Sequence, residues 1–183
     1  METKMPNKTN DTYILRYSIT ILILGLTPLI AIFFASFNEY LSNTWLNSIY
    51  EKIQSLPSSY SQTHPVISTI FSNYIKLSPI FSLLFLFCIW RKLELSNDIL
   101  EKINFQSWFY SFFPFTLIVI LVIFFTYFHS TNLSESWRYI QKISKTKELL
   151  LIYYSLAFTA VYFCFCLFLI CFIYIPYKIK ARK

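Results

Sequence analysis

The chain has 183 residues, of which 56% are hydrophobic and 14% charged, with a formal net charge of +7 and a single glycine. Soluble domains are about 25% charged, so this composition excludes an ordinary soluble protein of this size. One glycine, Gly25, excludes phosphate-binding loops, dinucleotide fingerprints and nucleophile elbows, each of which needs more than one. The chain has no aromatic-rich basic groove and no zinc-ligand spacing, so we expect no nucleic-acid partner and interpret the charge as membrane topology.

The first predicted transmembrane helix covers residues 17–38, which carry no charge and lie between Arg16 and Glu39. This stretch exceeds the roughly 20 residues that cross a hydrocarbon layer of about 30 Å. A secretory signal peptide is the alternative, but its apolar region has only about 7–15 residues, and Pro28 continues the run past any plausible cleavage site. We therefore predict an uncleaved first span.

Residues 39–66 are predicted to form a periplasmic loop that carries an amphipathic helix lying in the membrane interface. Its apolar residues recur at helical spacing: Leu41, Trp45, Ile49, Ile53 and Leu56. Pro57 then ends the helix, and a serine-rich loop follows. Such a segment either returns the chain to the membrane or offers a surface to a partner, and both interpretations stay open at this point.

The second predicted span covers residues 67–90. Its uncharged part, residues 77–90, is only about 21 Å long as a helix, so the span must include the preceding turns and with them Lys76. Counting about 20 residues back from Trp90 places Lys76 roughly 8 Å inside the hydrocarbon, where a lysine side chain reaches the interface by snorkelling. The alternative role for Lys76 is contact with a partner, or orientation of the outer end of this helix.

Two further uncharged stretches predict a third span over residues 107–129 and a fourth over residues 149–176. A cytoplasmic loop, residues 91–106, precedes the third span, and a basic cytoplasmic tail, residues 177–183, follows the fourth. Between these two spans, residues 130–148 form a second periplasmic loop.

A short basic helix is predicted in this second periplasmic loop. Ser134 is placed to cap its start, and Trp137, Ile140 and Ile143 fall roughly on one face. As with the first loop, the helix either returns the chain to the membrane or faces a partner.

Charge asymmetry predicts the orientation, because cytoplasmic segments carry an excess of Lys and Arg. Ten cations fall on the side of both termini: Lys4, Lys8, Arg16, Arg91, Lys92, Lys102, Lys178, Lys180, Arg182 and Lys183. Six fall on the other side: Lys52, Lys76, Arg138, Lys142, Lys145 and Lys147. We therefore predict an all-α integral membrane protein, a single domain of four transmembrane helices with both termini in the cytoplasm. The four cations of loop 130–148 run against the rule.

No motif for catalysis or metal binding is found. His64 and His129 belong to no HExxH pattern and adjoin no carboxylate pair. The four cysteines fall within predicted spans and have no CxxC spacing, so we expect them to pack as small apolar residues. No Asp or Glu lies within a predicted span, which argues against ion-coupled transport. We expect no enzyme, no metal and no cofactor.

Small residues mark where membrane helices approach closely, and a chain with one glycine has no GxxxG motif for this purpose. Ala31 and Ala35 form such a pair on the first span. Four small residues share a stripe of the last span: Ala157, Ala160, Cys164 and Cys171. We predict close helix contacts at both places.

Several motifs together resemble those of immunity proteins for pore-forming colicins of the A type. Gly25-Leu26-Thr27-Pro28-Leu29, followed by Ile32-Phe33, resembles the Gly-Leu/Ile-x-Pro-Leu run of that family. The other matches follow in the family's order and spacing: Leu56-Pro57-Ser58, Pro65, Tyr74-x-Lys76-x-Ser78-Pro79, Pro114 and the basic tail. The resemblance covers nearly the whole chain and is strongest over residues 25–79.

The chain also departs from the family pattern at two places. Ser78 stands where the family commonly has alanine, in Lys-Thr-Ala-Pro, which is a small-for-small change. After the third span, Leu133-Ser134-Glu135-Ser136-Trp137 replaces a Leu-Thr-Thr-Ala-Gly stretch. If this region helps to choose the toxin, the second departure indicates a cognate toxin that differs from those of the best-known members.

The resemblance implies a lipid-embedded protein of the bacterial inner membrane that protects a colicin-producing cell from its own toxin. Its implied partner is the pore-forming domain of the cognate colicin, whose hydrophobic helical hairpin it would meet within the bilayer. Ten residues are candidates for that contact: Gly25, Pro28, Ala31, Ala35, Tyr74, Lys76, Pro79, Ala157, Ala160 and Cys164. The alternatives are a small four-helix transporter or channel subunit, and a holin-like lytic protein.

Overall fold

The structure is a computed structural model that describes residues 8–93 and 105–181, and within these ranges the chain is helical apart from short connections. The prediction of an all-α protein is therefore confirmed. Most of the predicted inner loop lies outside the described residues, and so do four of the cations used to predict orientation: Lys4, Lys102, Arg182 and Lys183.

The elements follow one another in two series. Before residue 94 they are α1 (Lys8–Ala35), α2 (Glu39–Leu41), a π-helical turn (Ser42–Leu46), α3 (Asn47–Ile53), β1 (Ser59–Tyr60), α4 (Pro65–Ile75) and α5 (Ser78–Ile89). After residue 104 they are α6 (Phe105–Ile123), a π-helical turn (Phe124–Phe128), β2 (Thr131–Asn132), a 3-10 turn (Leu133–Glu135), α7 (Arg138–Ile143), α8 (Lys147–Leu169), a π-helical turn (Ile170–Tyr174) and α9 (Ile175–Ala181).

Three helices of the described chain are long and apolar enough to cross a membrane, namely Thr12–Ala35, Pro65–Ile89 and Lys147–Lys180. The second joins α4 and α5 through a tight turn at Lys76, so it includes the residues before Leu77 that a span at this place requires. A shorter apolar helix, Phe112–Phe128, occupies the place of the third predicted span. The number of four spans therefore stays a prediction.

The core lies between α1, the α4–α5 helix and α8. α8 packs along α4 and α5, α1 contacts all three, and α6 contacts α8. The largest buried side chains of this core are mostly aromatic: Phe71, Tyr154, Phe158 and Tyr162, with Leu29 and Ile89. Many large apolar side chains point away from it, among them Phe34, Phe87 and Leu156. Such outward apolar surface is typical of helices that face lipid or a partner.

Side-chain contacts show which helix ends lie together at each end of the bundle. One end carries the connections around β1 and β2 and is here termed the capped end. At this end, Lys147 Nζ donates to the Ser36 carbonyl at 2.8 Å and lies over the ring of Phe37. This contact satisfies a carbonyl beyond the last turn of α1. At the opposite end Trp108 Nε1 donates to the Cys171 carbonyl at 3.1 Å. α6 therefore runs from the opposite end towards the capped end.

The predicted amphipathic helix after the first span is present, but its buried face differs from the prediction. The side chain of Leu46 is 1% exposed, whereas that of Trp45 is 47% exposed and Leu41 also faces outward. The cause is the π-helical turn Ser42–Leu46, because a wider turn adds a residue and rotates the following side chains around the helix. Of the five predicted residues, Ile49 and Ile53 pack against the core, whereas Leu41, Trp45 and Leu56 are exposed.

The short helix of the second loop also begins later than predicted. α7 starts at Arg138, and Ser134 does not cap it. Ser134 lies in the preceding 3-10 turn, where its Oγ accepts from the Gln62 backbone N–H at 3.0 Å. Ile140 and Ile143 pack against the core while Trp137 is exposed, so these three residues do not share a face.

Candidate functional site

Gly25 lets α1 and α8 approach closely. A Cβ atom at this position would lie 2.7 Å from Phe158 Cζ and 2.8 Å from its Cε1, inside the ~3.5–4.0 Å of ordinary carbon contact. Phe158 is fully buried and stacks on the ring of Tyr74 at 5.6 Å between centroids. The Tyr74 hydroxyl in turn donates to the Gly25 carbonyl at 2.8 Å. Gly25 and Tyr74 thus take part in one contact inside the bundle, between α1, α4 and α8.

Pro28 follows this contact within α1. Its ring nitrogen has no hydrogen, so the helix lacks the bond that this position would make to the Leu24 carbonyl. Side chains of neighbouring helices commonly supply hydrogen bonds around such prolines in membranes, and the Tyr74 hydroxyl does so at the next carbonyl along the chain. One and two turns later, Ala31 is exposed and Ala35 is buried, so the predicted pair is divided between the outer and the core side of α1.

Lys76 links three parts of the capped end. Its ammonium donates to the Pro57 carbonyl at 2.6 Å and to Asn73 Oδ1 at 2.8 Å. The Lys76 carbonyl accepts from the Tyr127 hydroxyl at 2.5 Å. The lysine side chain therefore binds neutral oxygens of its own protein and connects the loop after α3 to the α4–α5 helix. The Lys76 carbonyl connects the same helix to the π-helical turn after α6.

The loop after Pro57 is inserted between the helices. Its strand β1 pairs in parallel with β2, so that Ser59 faces Thr131. The Ser59 backbone N–H donates to Ser72 Oγ at 2.8 Å, and its carbonyl accepts from the Tyr154 hydroxyl at 2.7 Å. Ser72 and Tyr154 each lie about two turns, or roughly 10 Å, along their helices from the capped end. The ladder of β1 and β2 therefore lies beside the first two turns of α4 and α8, and it is half-buried apart from the exposed Tyr60.

Serine hydroxyls satisfy the backbone of this inserted loop. Ser68 Oγ accepts from the Ser61 N–H at 2.9 Å, and Ser130 Oγ accepts from the Ser58 N–H at 3.2 Å. Ser61 Oγ donates to the Ser144 carbonyl at 2.6 Å. Non-helical backbone at membrane depth is tolerated only where protein surrounds it and supplies such partners. Ser58, Ser59 and Ser61, with the groups that bind them, thus form a polar region in an otherwise apolar bundle, here termed the polar cap.

The small residues of α8 differ in their exposure. Ala160 is exposed, whereas Ala157 and Cys164 are half-buried at the border of the core. Large exposed side chains flank Ala160 one turn away, Leu156 (66% exposed) before it and Phe163 after it. Ala160 therefore leaves a gap between two large side chains on the outward face of α8.

The start of α5 holds the remaining candidate, Pro79, which is half-buried in the first turn of the helix. Beside it, Ser78 Oγ is fully buried and, among the described residues, has no hydrogen-bond partner. One turn later, Ser82 Oγ donates to the Tyr162 carbonyl at 2.9 Å and ties α5 to α8. Two serines on the same face thus differ in whether their hydroxyl is bonded.

The described residues contain no group of three His, Cys, Asp or Glu that could hold a metal ion. His64 Nε2 lies 3.2 Å from the Lys145 carbonyl, so this histidine joins the two outer loops. A cavity of about 390 Å³ lies beside these loops, and its lining is mainly polar but uncharged: Tyr50, Gln54, Ser58, Tyr60, Thr69 and Ser130 among others. The arrangement holds helices and loops together through hydrogen bonds and close packing.

Two comparisons with known proteins identify relatives of this chain. A family model described as colicin immunity protein matches residues 42–183. The colicin-B immunity protein of Escherichia coli is 28% identical over 162 residues, which cover 88% of this chain and 89% of that protein. No solved structure matches the chain. The family match includes the polar cap, α8 and the described part of α6, whereas α1 with Gly25 precedes it.

Proposed function

We propose that this chain, which belongs to the colicin immunity protein family, protects a bacterial cell by binding the membrane-inserted pore-forming domain of its cognate colicin and preventing the channel from opening. Proteins of this family are inhibitors rather than enzymes. The family and the three long apolar helices are compatible with the inner membrane.

The proposed topology has four spans and both termini in the cytoplasm. Its support is the pairing of β1 with β2 at the capped end, because the helix Pro65–Ile89 lies between the two strands in the chain. If that helix crosses the membrane once, the chain must cross back before Thr131, and α6 with its π-helical turn is the segment available.

The observation that carries the proposed binding face is the outward position of two small residues. Ala160 lies between Leu156 and Phe163 on the outer face of α8, and Ala31 lies one turn before Phe34 on that of α1. Small residues that face lipid let a foreign helix approach closely. In this proposal these two alanines receive helices of the toxin. The buried candidates, such as Gly25 and Ala35, hold the bundle in shape.

Inhibition of this kind needs no chemical step. Moving a channel from 99:1 open to 1:99 open requires about 5.5 kcal/mol of differential binding. Packing at a helix interface in the membrane, with polar contacts worth ~0.6–2 kcal/mol each, supplies energies of this order. An apolar, aromatic bundle with outward gaps suits that task.

A survival assay tests the function. Cells that express the protein are expected to survive one pore-forming colicin of the A type and to stay sensitive to nuclease colicins. Equal killing by every pore-forming colicin, with the protein shown to be in the membrane, contradicts the proposal. Lysis on expression alone indicates a holin-like protein instead, and ion flux that depends on Lys76 indicates a channel subunit.

Two substitutions test the binding face. Ala31→Leu and Ala160→Leu fill the outward gaps and are expected to lower protection while membrane insertion and stability stay unchanged. The matched control is Cys88→Leu, which adds similar bulk at an exposed position of α5 outside the proposed face. If the double variant Ala31→Leu/Ala160→Leu protects as well as the original chain, the contact lies elsewhere.

A further inference from the structure

Five residues at the capped end form an exposed surface that no internal contact explains. Trp137 and Tyr139 are 84% and 78% exposed, although aromatic residues of this size are usually covered. Arg138, Lys142 and Lys145 are exposed beside them. These five residues, on α7 and its flanks, are termed the basic–aromatic surface.

The cations of this surface are unpaired in the part of the chain that the structure describes. Lys147, the fourth cation of the same loop, is used internally by the Ser36 carbonyl and the Phe37 ring. Two carboxylates lie three positions from these cations in the sequence. That of Glu135 accepts from the side-chain amides of Gln62 and Asn132, and Glu148 is exposed in the first turn of α8. The three cations of the basic–aromatic surface therefore form no ion pair with the described residues, and they outnumber the exposed carboxylate of Glu148.

The height of this surface in the bundle is fixed. Ile140 and Ile143 pack against the core on the inner side of α7. The Ser144 carbonyl accepts from Ser61 Oγ at 2.6 Å, and α8, which enters the membrane, begins at Lys147. In the proposed topology, the surface is therefore held at the start of a membrane helix, at the level where that helix meets the headgroups.

We infer that the basic–aromatic surface binds the headgroups of anionic phospholipids in the adjoining leaflet. Trp and Tyr favour the membrane–water interface because one end of the ring is apolar and the other polar. Lys and Arg near the surface are attracted to anionic lipids by about 1 kcal/mol each. Phosphate binding also gives a reason for the cations of this loop. These cations oppose the charge asymmetry from which the orientation of the chain is predicted.

Lipid titration of the purified chain tests this inference without any toxin, so its result is independent of the proposed immunity function. Dioleoylphosphatidylglycerol is added to the protein in a neutral detergent, and binding is followed by native mass spectrometry and by the rise in melting temperature. Dioleoylphosphatidylcholine and soluble glycerol 3-phosphate serve as parallel probes. We expect binding of phosphatidylglycerol, and weak or no binding of the other two.

The variant Arg138→Gln/Lys142→Gln/Lys145→Gln is expected to weaken phosphatidylglycerol binding about fivefold for each cation, or roughly a hundredfold in total. The charge-conserving variant Arg138→Lys/Lys142→Arg/Lys145→Arg is expected to bind normally. Lys52→Gln, which removes an exposed cation of α3 outside this surface, is the second control.

A second measurement reports the position of Trp137. Brominated phosphatidylglycerol quenches tryptophans at the interface, and the quenching lost in Trp137→Phe belongs to Trp137. Equal binding of phosphatidylcholine, or unchanged binding by the triple glutamine variant, overturns the inference. Loss of protection in that variant with normal lipid binding also overturns it and assigns the surface to a protein partner.

Discussion

The contact between Gly25 and Phe158 offers the sharpest test of how this bundle packs. Gly25→Ala adds one methyl group, whose carbon would lie 2.7 Å and 2.8 Å from two atoms of the Phe158 ring. This is at least about 0.7 Å shorter than the usual carbon–carbon contact. The ring has little room to move, because it is fully buried between Tyr74 and Phe81.

The expected magnitude combines two opposite terms. Overpacking of a well-filled core costs about 1–3 kcal/mol, whereas alanine in a helix is favoured over glycine by up to about 1 kcal/mol. Gly25→Ala alone is therefore expected to lower the free energy of unfolding by up to about 2 kcal/mol, or up to about thirtyfold in the equilibrium constant.

A double-mutant cycle with Phe158→Leu separates the two terms. Leucine lacks the two ring atoms that approach Gly25, so the clash disappears in the double variant, while the helix propensity of alanine acts equally in both backgrounds. We expect a coupling free energy of about 1–3 kcal/mol between the two substitutions. Unfolding by heat or by denaturing detergent, followed by circular dichroism, provides the four free energies.

Ala31→Leu is the matched control for this cycle. It adds more bulk to the same helix, but at an exposed position, so its effect on unfolding is expected to stay within about 0.5 kcal/mol. A coupling below about 0.5 kcal/mol between Gly25→Ala and Phe158→Leu refutes the close approach of α1 and α8.

Three further predictions concern single hydrogen-bonding groups at or near the polar cap. Ser78→Ala removes a buried hydroxyl without a described partner and is expected to raise the free energy of unfolding by about 1 kcal/mol. Ser82→Ala removes a bonded hydroxyl and is expected to lower the free energy of unfolding. Equal effects of the two substitutions contradict the difference in hydrogen bonding between the two serines. Lys147→Met leaves a carbonyl after α1 without its donor and is expected to cost about 1–2 kcal/mol, while Lys145→Met, at an exposed neighbour, changes stability by less than about 0.5 kcal/mol. Tyr127→Phe is expected to cost about 0.6 kcal/mol and to increase hydrogen exchange at the end of α6, and unchanged exchange there speaks against the bond to Lys76.

The positions of the membrane helices follow from composition, because the thickness of the bilayer sets the length of an uncharged run. Residues 17–38 and 149–176 were predicted on this basis, and long apolar helices cover most of each range. The helix Pro65–Ile89 was also found at its predicted place, despite Lys76, because the Pro57 carbonyl and Asn73 receive the ammonium. Composition alone does not reveal such neutral partners.

Composition and the length of uncharged runs did not predict the polar cap. Its ladder joins Ser59 to Thr131, and the partner of the Ser61 hydroxyl is the Ser144 carbonyl, far away in the chain. Backbone atoms carry no sequence signal, and a serine-rich stretch predicts a loop without predicting where that loop lies. The π-helical turn before Asn47 had a similar effect on a local scale, since one wider turn moved the buried face from Trp45 to Leu46.

The candidate contact residues fall into two groups, those inside the bundle and those that face outward, and the sequence alone does not separate the two groups. Gly25 and Tyr74 were selected because they lie in recognisable motifs, and the structure engages them with each other inside the bundle. Ala31 and Ala160 were selected for size alone, and both face outward. A motif read along one chain does not distinguish a residue that supports the fold from one that meets a partner.

The parallel ladder of β1 and β2 also has a consequence for biogenesis. Ser59 leaves the ribosome long before its partner Thr131, which lies 72 positions later. The serines of α4 hold one side of the ladder early, but the other side exists only after α6 has been made and, in the proposed topology, has crossed the bilayer. Closure of the cap is therefore a late step of assembly, and a chain stopped before residue 131 would expose the unpaired strand and its buried hydroxyls to membrane-protein quality control.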